Sequence, residues 1–147
     1  MEKDVVISIK GIQKYENAPP DVIELVTEGR LERTGGSYTL SYQESELTGL
    51  EGTLTTIQVE GEQVTLMRMG EYNAQMVFQE GRRHLSMYNT PYGTMAIGVN
   101  TRHLLAELND QGGDIEIDYA IEVDHAMAGR NIFRINVKEA ESGSLKQ

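Results

Sequence analysis

The chain of 147 residues contains no cysteine and no tryptophan. Without cysteine it cannot form a disulfide, supply a thiol nucleophile or bind a metal through thiolates, and this usage suits a reducing compartment. No apolar run approaches the roughly 20 residues that a membrane-spanning helix needs. Residues 1–15 also lack the apolar stretch of a secretory signal. These absences predict a cytoplasmic protein.

Positive charge is scarce. Thirteen Lys and Arg residues stand against 23 Asp and Glu residues, which gives a formal net charge of −10. Because nucleic-acid backbones and anionic membranes attract basic surfaces, we expect neither nucleic acid nor membrane as a partner. An acidic surface of this kind also serves solubility.

Apolar and polar residues alternate along most of the chain, which is typical of antiparallel strands with one buried face. The apolar members of five such runs are Val5, Ile7 and Ile9; Ile23, Leu25 and Leu31; Tyr38, Leu40 and Tyr42; Ile115, Ile117, Tyr119, Ile121 and Val123; and Phe133, Ile135 and Val137. Residues 100–110 have mixed periodicity, and we assign them to an extended strand with a bend because their neighbours are strands. The length fits one domain, residues 1–147, with a disordered tail at 139–147.

Glycine and proline clusters separate the runs into about ten strand-length segments. A meander of ten strands leaves two exposed edges unless the sheet closes on itself. The connections are also too short for the crossover of a Greek key. The sequence therefore predicts an all-β fold, an antiparallel up-and-down closed barrel, in preference to a sandwich.

Three central segments and one upstream segment carry a family resemblance. They are residues 64–70 (VTLMRMG), 75–81 (QMVFQEG), 88–93 (YNTPYG) and 41–44 (SYQE). Together they resemble the YwiB-like family of uncharacterised bacterial proteins. The resemblance implies a calycin-type, lipocalin-like β-barrel and no established activity. Calycin barrels often carry a small apolar ligand, although fold does not determine function.

The chain departs from the ligand-binding calycins at three points. About six residues join the first two strands, too few for the helical lid of fatty-acid-binding proteins. Arg134 is followed by Ile135 and Asn136, so the Arg-x-Tyr carboxylate clamp is missing near the C-terminus. The Gly-x-Trp signature of lipocalins is absent because the chain has no tryptophan.

Two charged residues fall on the predicted inward face. Glu44 shares the face of Tyr38, Leu40 and Tyr42, and Arg68 shares the face of Val64 and Leu66. An inward carboxylate is costly unless it is paired, so Arg68 is its natural partner. An Arg–carboxylate fork inside the barrel could anchor a polar head group. The alternative is a purely structural ion pair.

Further residues predicted to line the interior are Tyr42, Phe78, Tyr88, Thr90, Tyr92 and Tyr119. Tyr88, Thr90 and Tyr92 form one same-face row that follows His84 and Ser86, although tyrosines in barrels usually pack their rings. The spacing of His84, His103 and His125 matches no metal motif, and no nucleophile elbow or phosphate loop is visible. We therefore predict no cofactor and no metal. Met67, Met69, Met76, Met87 and Met95 either fill the core or line an adaptable pocket.

Three functions fit these patterns. The first is a non-catalytic module whose barrel binds a small, partly apolar ligand. The second is a structural or regulatory interaction barrel with a filled interior, which includes a homodimer. The third and least favoured is an enzyme that uses Glu44 near Tyr88, because a carboxylate held by a guanidinium is a poor general base.

Overall fold

A computed structural model describes residues 1–15, 17–71, 73–123 and 126–140, except for the side chains of Tyr88 and Thr90. Within these ranges the chain forms ten strands. They are β1 (Glu2–Lys14), β2 (Asp21–Thr34), β3 (Ser37–Gln43), β4 (Thr53–Glu60), β5 (Gln63–Gly70), β6 (Asn73–Gln79), β7 (Arg83–Thr90), β8 (Gly93–Asn109), β9 (Gly112–Val123) and β10 (Ala126–Glu139).

Each strand pairs antiparallel with the next one along the chain, and β1 pairs with β10 to close the barrel. The closing register runs from Val5 opposite Glu139 to Lys14 opposite Arg130. This confirms the predicted up-and-down closed barrel. Closure pairs both edges of the meander and leaves neither as an open edge.

Inward side chains fill most of the barrel. Ile57, Ile117 and Phe78 are almost fully buried. Phe78 packs edge-on against Tyr119, with the ring centroids 4.8 Å apart. The void in this layer measures only about 10 Å³, less than the volume of one water molecule. Most of the interior is therefore a packed core.

The ambiguous segment at residues 100–110 belongs to β8, as predicted. Leu104, Ala106 and Leu108 pack against the core while Leu105 between them is exposed, which is the two-residue period of a strand. The expected bend is a β-bulge where the register shifts between Thr101 and His103.

Few residues pair between β6 and β7. Only Asn73–Asn89 and Ala74–Tyr88 are in register among the described residues, whereas β7 and β8 share eight pairs. The turn between β6 and β7 is fixed instead to β8, because Gly81 N donates to Thr101 O and Thr101 N donates to Arg82 O. The barrel wall is thus weakest between β6 and β7.

The first two residues of the predicted tail, Glu139 and Ala140, lie against the barrel. Glu139 is the last residue of β10, and its N–H donates to Gln111 O. Ala140 N donates to Asp4 O at 3.0 Å. These two residues are held by backbone hydrogen bonds, and residues 141–147 lie outside the described ranges.

Candidate functional site

Glu44 follows β3 directly and points into one end of the barrel, here called the mouth. Its backbone N–H donates to Thr53 O at 2.9 Å, which extends the pairing of β3 with β4 by one residue. The inward alternation of Leu40 and Tyr42 therefore continues to Glu44, whose side chain is only 2% exposed. The inward orientation predicted for this carboxylate is confirmed.

Two threonine hydroxyls satisfy the Glu44 carboxylate. Thr48 Oγ1 lies 3.0 Å from both Oε1 and Ser45 O and shares its proton between them, and Thr55 Oγ1 donates to Oε2 at 2.5 Å. Hydrogen bonds to an ionised acceptor are short and strong, which offsets the cost of burying the carboxylate. Both oxygens are thus engaged from within the protein.

Arg68 lies beside this carboxylate, because Arg68 on β5 pairs directly with Thr55 on β4. Its Nε is 3.8 Å from Glu44 Oε2, close enough for an ion pair and too far for a hydrogen bond. The buried Nε has no hydrogen-bond partner. The predicted hydrogen-bonded fork between Arg68 and Glu44 is therefore wrong in its geometry. The threonine hydroxyls contact the carboxylate oxygens, and the Arg68 guanidinium interacts with the carboxylate only electrostatically.

Tyr42 and Tyr119 place phenol groups near this ion pair. Burial raises the pKa of Tyr42 well above its ordinary value, and the nearby Glu44 carboxylate raises this pKa further, while Arg68 partly opposes the shift. Burial likewise raises the pKa of Tyr119, again opposed by Arg68. Both phenols stay protonated at neutral pH, so neither is a phenolate nucleophile or base.

The mouth contains a recess of about 190 Å³. Its polar floor consists of Tyr42, Glu44, Thr48 and Arg68, and Asp21 lies at its rim, where the Tyr15 hydroxyl donates to the Asp21 carboxylate at 2.9 Å. The apolar wall comes from β1, β2, the β3–β4 connection and β10: Ile9, Ile12, Ile23, Leu25, Leu50, Ile132 and Phe133. The recess holds the volume of about six water molecules and ends on the packed core.

A family model described as "Domain of unknown function (DUF1934)" matches residues 7–135. The chain belongs to the DUF1934 family. The crystal structure of the ywiB protein from Bacillus subtilis superposes on it with a TM-score of 0.84 at 21% identity, covering 95% of this chain and 94% of that one. At this identity the likeness shows the fold. No curated protein matches the chain.

The DUF1934 barrel brings three of the predicted interior residues together in the recess: Tyr42, Glu44 and Arg68. Phe78 and Tyr119 are buried as predicted, but they belong to the packed core and do not line the recess. The side chains of Tyr88 and Thr90 lie outside what the structure describes, so their inward placement stays a prediction.

Tyr92 was assigned wrongly to the interior of this DUF1934 barrel. It lies in the turn between β7 and β8 and is 96% exposed. The alternation that suggested an inward position ends with β7 at Thr90, and the Pro91–Tyr92 turn reverses the chain before β8 begins at Gly93. A period-two pattern carries no information about orientation once the strand has ended.

Sequence reasoning missed Thr55 and Thr48. Thr55 had a usable signal, because Thr53, Thr55, Ile57 and Val59 alternate along β4 and all four are buried. Thr48 lies in the connection between β3 and β4, where no periodic pattern indicates orientation. The alternation placed Ile9, Ile23, Leu25 and Phe133 on buried faces, but it did not predict that they line one recess, since the wall combines the ends of strands far apart in sequence.

The methionines of the DUF1934 barrel do not form a pocket lining. Met76 is buried in the core, Met67, Met69 and Met87 are exposed on the outside, and Met95 is exposed near the start of β8. Within the described ranges, no three His, Asp or Glu side chains group as metal ligands would, and no helix is long and apolar enough to cross a membrane. His125 lies outside the described residues.

Proposed function

We propose that this chain is a non-catalytic, cytoplasmic binding module that holds a small, partly apolar ligand in the recess at the mouth. The observation that carries the proposal is the buried Nε of Arg68, which has no hydrogen-bond partner at the polar floor of a recess whose wall is largely apolar. A buried donor without a partner costs free energy. A ligand that reaches the guanidinium can recover part of this cost.

The charges of the recess favour a ligand with an anionic or acceptor head group. Glu44 is 2% exposed and its oxygens accept from Thr48 and Thr55, whereas the Arg68 side chain is 13% exposed and therefore more accessible. The volume of about 190 Å³ is below the roughly 300–1,000 Å³ of drug-sized pockets. The recess therefore suits a small monocarboxylate with a branched or aromatic body.

The same geometry disfavours the enzyme hypothesis. A general acid or base must lie within hydrogen-bond reach of a substrate proton. Glu44 is enclosed, and both of its oxygens already accept hydrogen bonds from the protein. Tyr42 and Tyr119 hold their protons at neutral pH. These groups are therefore suited to holding the floor of the recess in place and not to transferring a proton.

The test is a thermal-shift and calorimetric screen with short-chain and aromatic monocarboxylates and with their uncharged amides, complemented by native mass spectrometry of protein purified from its host. We expect saturable binding of at least one carboxylate and weaker binding of its amide. Arg68→Ala should abolish binding and leave the barrel folded at reduced stability, because Glu44 loses its counter-charge but keeps its threonine neighbours.

Arg130→Ala is the matched control. Arg130 forms two hydrogen bonds with Asp118 on the outer surface, at 3.0 and 2.6 Å, so its loss should leave binding unchanged. Binding that survives Arg68→Ala, or a clean apo mass together with no response to any probe, would overturn the proposal. Loss of folding in Arg68→Ala alone would mark the ion pair as architectural.

The second candidate is an interaction barrel with no internal ligand. The observation that favours it is the packed layer beneath the recess, where the void is only about 10 Å³. On this alternative the outer surface carries the function, and the carboxylate screen gives no response in a fully folded protein.

A further inference from the structure

The wall of the barrel is interrupted between β2 and β3. Barrel closure pairs β1 with β10, but β2 pairs with β3 only from Arg30 to Thr34. Residues 21–29 of β2 pair with β1 on one side, and no described strand pairs with them on the other. We call residues 21–29 the β2 edge.

The exposure of its side chains shows that the β2 edge borders an opening. Leu25 pairs with the buried Ile9, so Leu25 and Ile23 lie on the inward face of β2. Ile23 is nevertheless 50% exposed, and Val26 on the outer face is 69% exposed. Inward side chains of a closed wall are buried, as Ile9 is, so the exposure of Ile23 marks a gap beside the strand.

Gly29 is the point at which β2 and β3 separate. A Cβ at this position would lie against Ile7 Cδ1 and 2.5 Å from Ser41 O, so a residue without a side chain is needed where the two strands come this close. From Gly29 towards its start β2 stays paired with β1, whereas Tyr42 on β3 pairs with β4. The opening is therefore built into the sequence at this glycine.

The β2 edge lies along the ligand recess. Asp21, Ile23 and Leu25 line one side of the recess, and the β3–β4 connection lines another. A segment of polypeptide that lies beside the β2 edge can therefore reach the floor of the recess, where Arg68 Nε has no hydrogen-bond partner.

We propose that the β2 edge and the recess together bind the C-terminus of an extended peptide. The peptide adds a strand to the β2 edge through its backbone, its last side chain enters the recess, and its terminal carboxylate accepts a hydrogen bond from Arg68 Nε. This inference rests on the proposed function, because it identifies the monocarboxylate of the recess as the end of a polypeptide.

The unpaired backbone selects another backbone as its ligand. Alternate residues of an edge strand direct their N–H and C=O groups away from the paired neighbour, and an extended peptide satisfies such a row by strand addition. A free monocarboxylate can fill the recess of about 190 Å³, but it leaves the β2 edge unpaired. A peptide C-terminus combines a backbone, one apolar side chain and a carboxylate, and it therefore matches all three features.

The outer face of the β2 edge gives the peptide a preferred sequence. Glu24 and Glu28 alternate there with Val22 and Val26, and Glu24 is already paired with Lys10. Opposite charges on neighbouring strands stabilise their pairing. Because side chains alternate between the two faces, a peptide whose last side chain points inward places its second-last and fourth-last side chains outward. We expect basic residues at these two positions and apolar residues between them.

A second copy of the β2 edge is a poorer partner. Two edges paired about a two-fold axis at Val26 would place Glu24 of each copy opposite Glu28 of the other, and like charges in this position destabilise a strand pair. Such a pairing would also leave Arg68 Nε without an acceptor.

Calorimetry with four related probes tests the proposal. They are the acetylated pentapeptide Ala-Lys-Ile-Lys-Leu with a free carboxylate, its C-terminal amide, its analogue N-methylated at the isoleucine and the second lysine, and N-acetyl-leucine. The free-acid peptide should bind about tenfold more tightly than N-acetyl-leucine, because it adds backbone hydrogen bonds, and about tenfold more tightly than its amide, because it keeps the charged acceptor. N-methylation should reduce its affinity to that of N-acetyl-leucine.

A pair of charge reversals locates the bound strand. Glu28→Lys, on the β2 edge, should weaken the peptide several-fold and leave the binding of N-acetyl-leucine unchanged. Glu32→Lys is the matched control, since Glu32 is exposed on the same face of β2 but lies where β2 pairs with β3, opposite Thr39. This variant should bind both probes as wild type does.

Hydrogen exchange separates the failure of this inference from the failure of the proposed function. The free-acid peptide should slow the exchange of amides in residues 21–29, and N-acetyl-leucine should not. If N-acetyl-leucine binds but the peptide binds no more tightly and leaves these amides unchanged, the recess binds carboxylates and the strand addition is wrong. If neither probe binds, both proposals are wrong. Equal affinity for the acid and its amide, or protection of the β2 edge by self-association without peptide, would also overturn the inference.

Discussion

The mouth and the core of the barrel are built from the same strands but with different side chains. Along β4 the inward positions change from Thr53 and Thr55 at the mouth to Ile57 and Val59 deeper in the barrel. The core leaves a void of about 10 Å³, whereas the mouth leaves a recess of about 190 Å³. Stability and binding are therefore assigned to different layers of one structure, and mutations can separate them.

The largest expected effect on stability comes from the core. Ile117 is 1% exposed and contributes to the packed layer, so Ile117→Ala should lower the free energy of unfolding by about 2–5 kcal/mol through lost burial and a new cavity. Urea denaturation measures this loss. The matched change at the mouth, Ile23→Ala, should cost less than about 1 kcal/mol, because Ile23 is already 50% exposed. Equal losses at both positions would contradict the separation into two layers.

An intermediate effect is expected at the floor of the recess. Thr55→Val removes the hydroxyl that donates to Glu44 Oε2 and leaves a buried carboxylate with one hydroxyl donor fewer, at a cost of about 1–3 kcal/mol. Urea denaturation should show the loss, and calorimetry should show altered ligand binding. Thr56→Val, on the outer face of the same strand, is the control and should change neither property. A silent Thr55→Val would mean that Glu44 does not depend on this hydrogen bond.

The free energy of unfolding should depend on pH through one tyrosine at the mouth, Tyr42, and one in the core, Tyr119. The pKa values of Tyr42 and Tyr119 are raised in the folded barrel, so above pH 10 an unfolded tyrosine loses its proton while the folded one keeps it. The free energy of unfolding should then fall with rising pH, by up to about 1.4 kcal/mol per pH unit for each such tyrosine. Below pH 10 their contribution is fully present. Thermal melts between pH 8 and 11 measure this trend.

Phenylalanine variants assign the alkaline effect to particular tyrosines. Tyr42→Phe and Tyr119→Phe should each flatten the decline in stability above pH 10. Tyr92→Phe should leave the pH profile unchanged, because Tyr92 is exposed in the β7–β8 turn. An identical decline in all three variants would place the alkaline transition elsewhere in the protein.

The fold could be read from the sequence because alternation and turn chemistry act locally. The inward position of Glu44 followed from counting along one strand, and its proximity to Arg68 followed from requiring a partner for a buried charge. The hydrogen bonds that the Glu44 carboxylate accepts could not be predicted in the same way. Whether Arg68 or Thr55 reaches the carboxylate depends on the register between β4 and β5, and Thr48 arrives from an irregular connection. The inward position predicted for Tyr92 was wrong because the strand ends before this residue and a turn follows.

The closing pair of strands has a consequence for how the protein is made. β1 leaves the ribosome first, yet one of its two neighbours is β10, paired over ten residues from Val5–Glu139 to Lys14–Arg130. Until β10 emerges, that side of β1 and the free edge of the growing sheet stay unpaired, and such edges promote aggregation. Closing the barrel therefore needs a contact between two strands that are far apart in sequence, and contacts of high sequence separation form slowly.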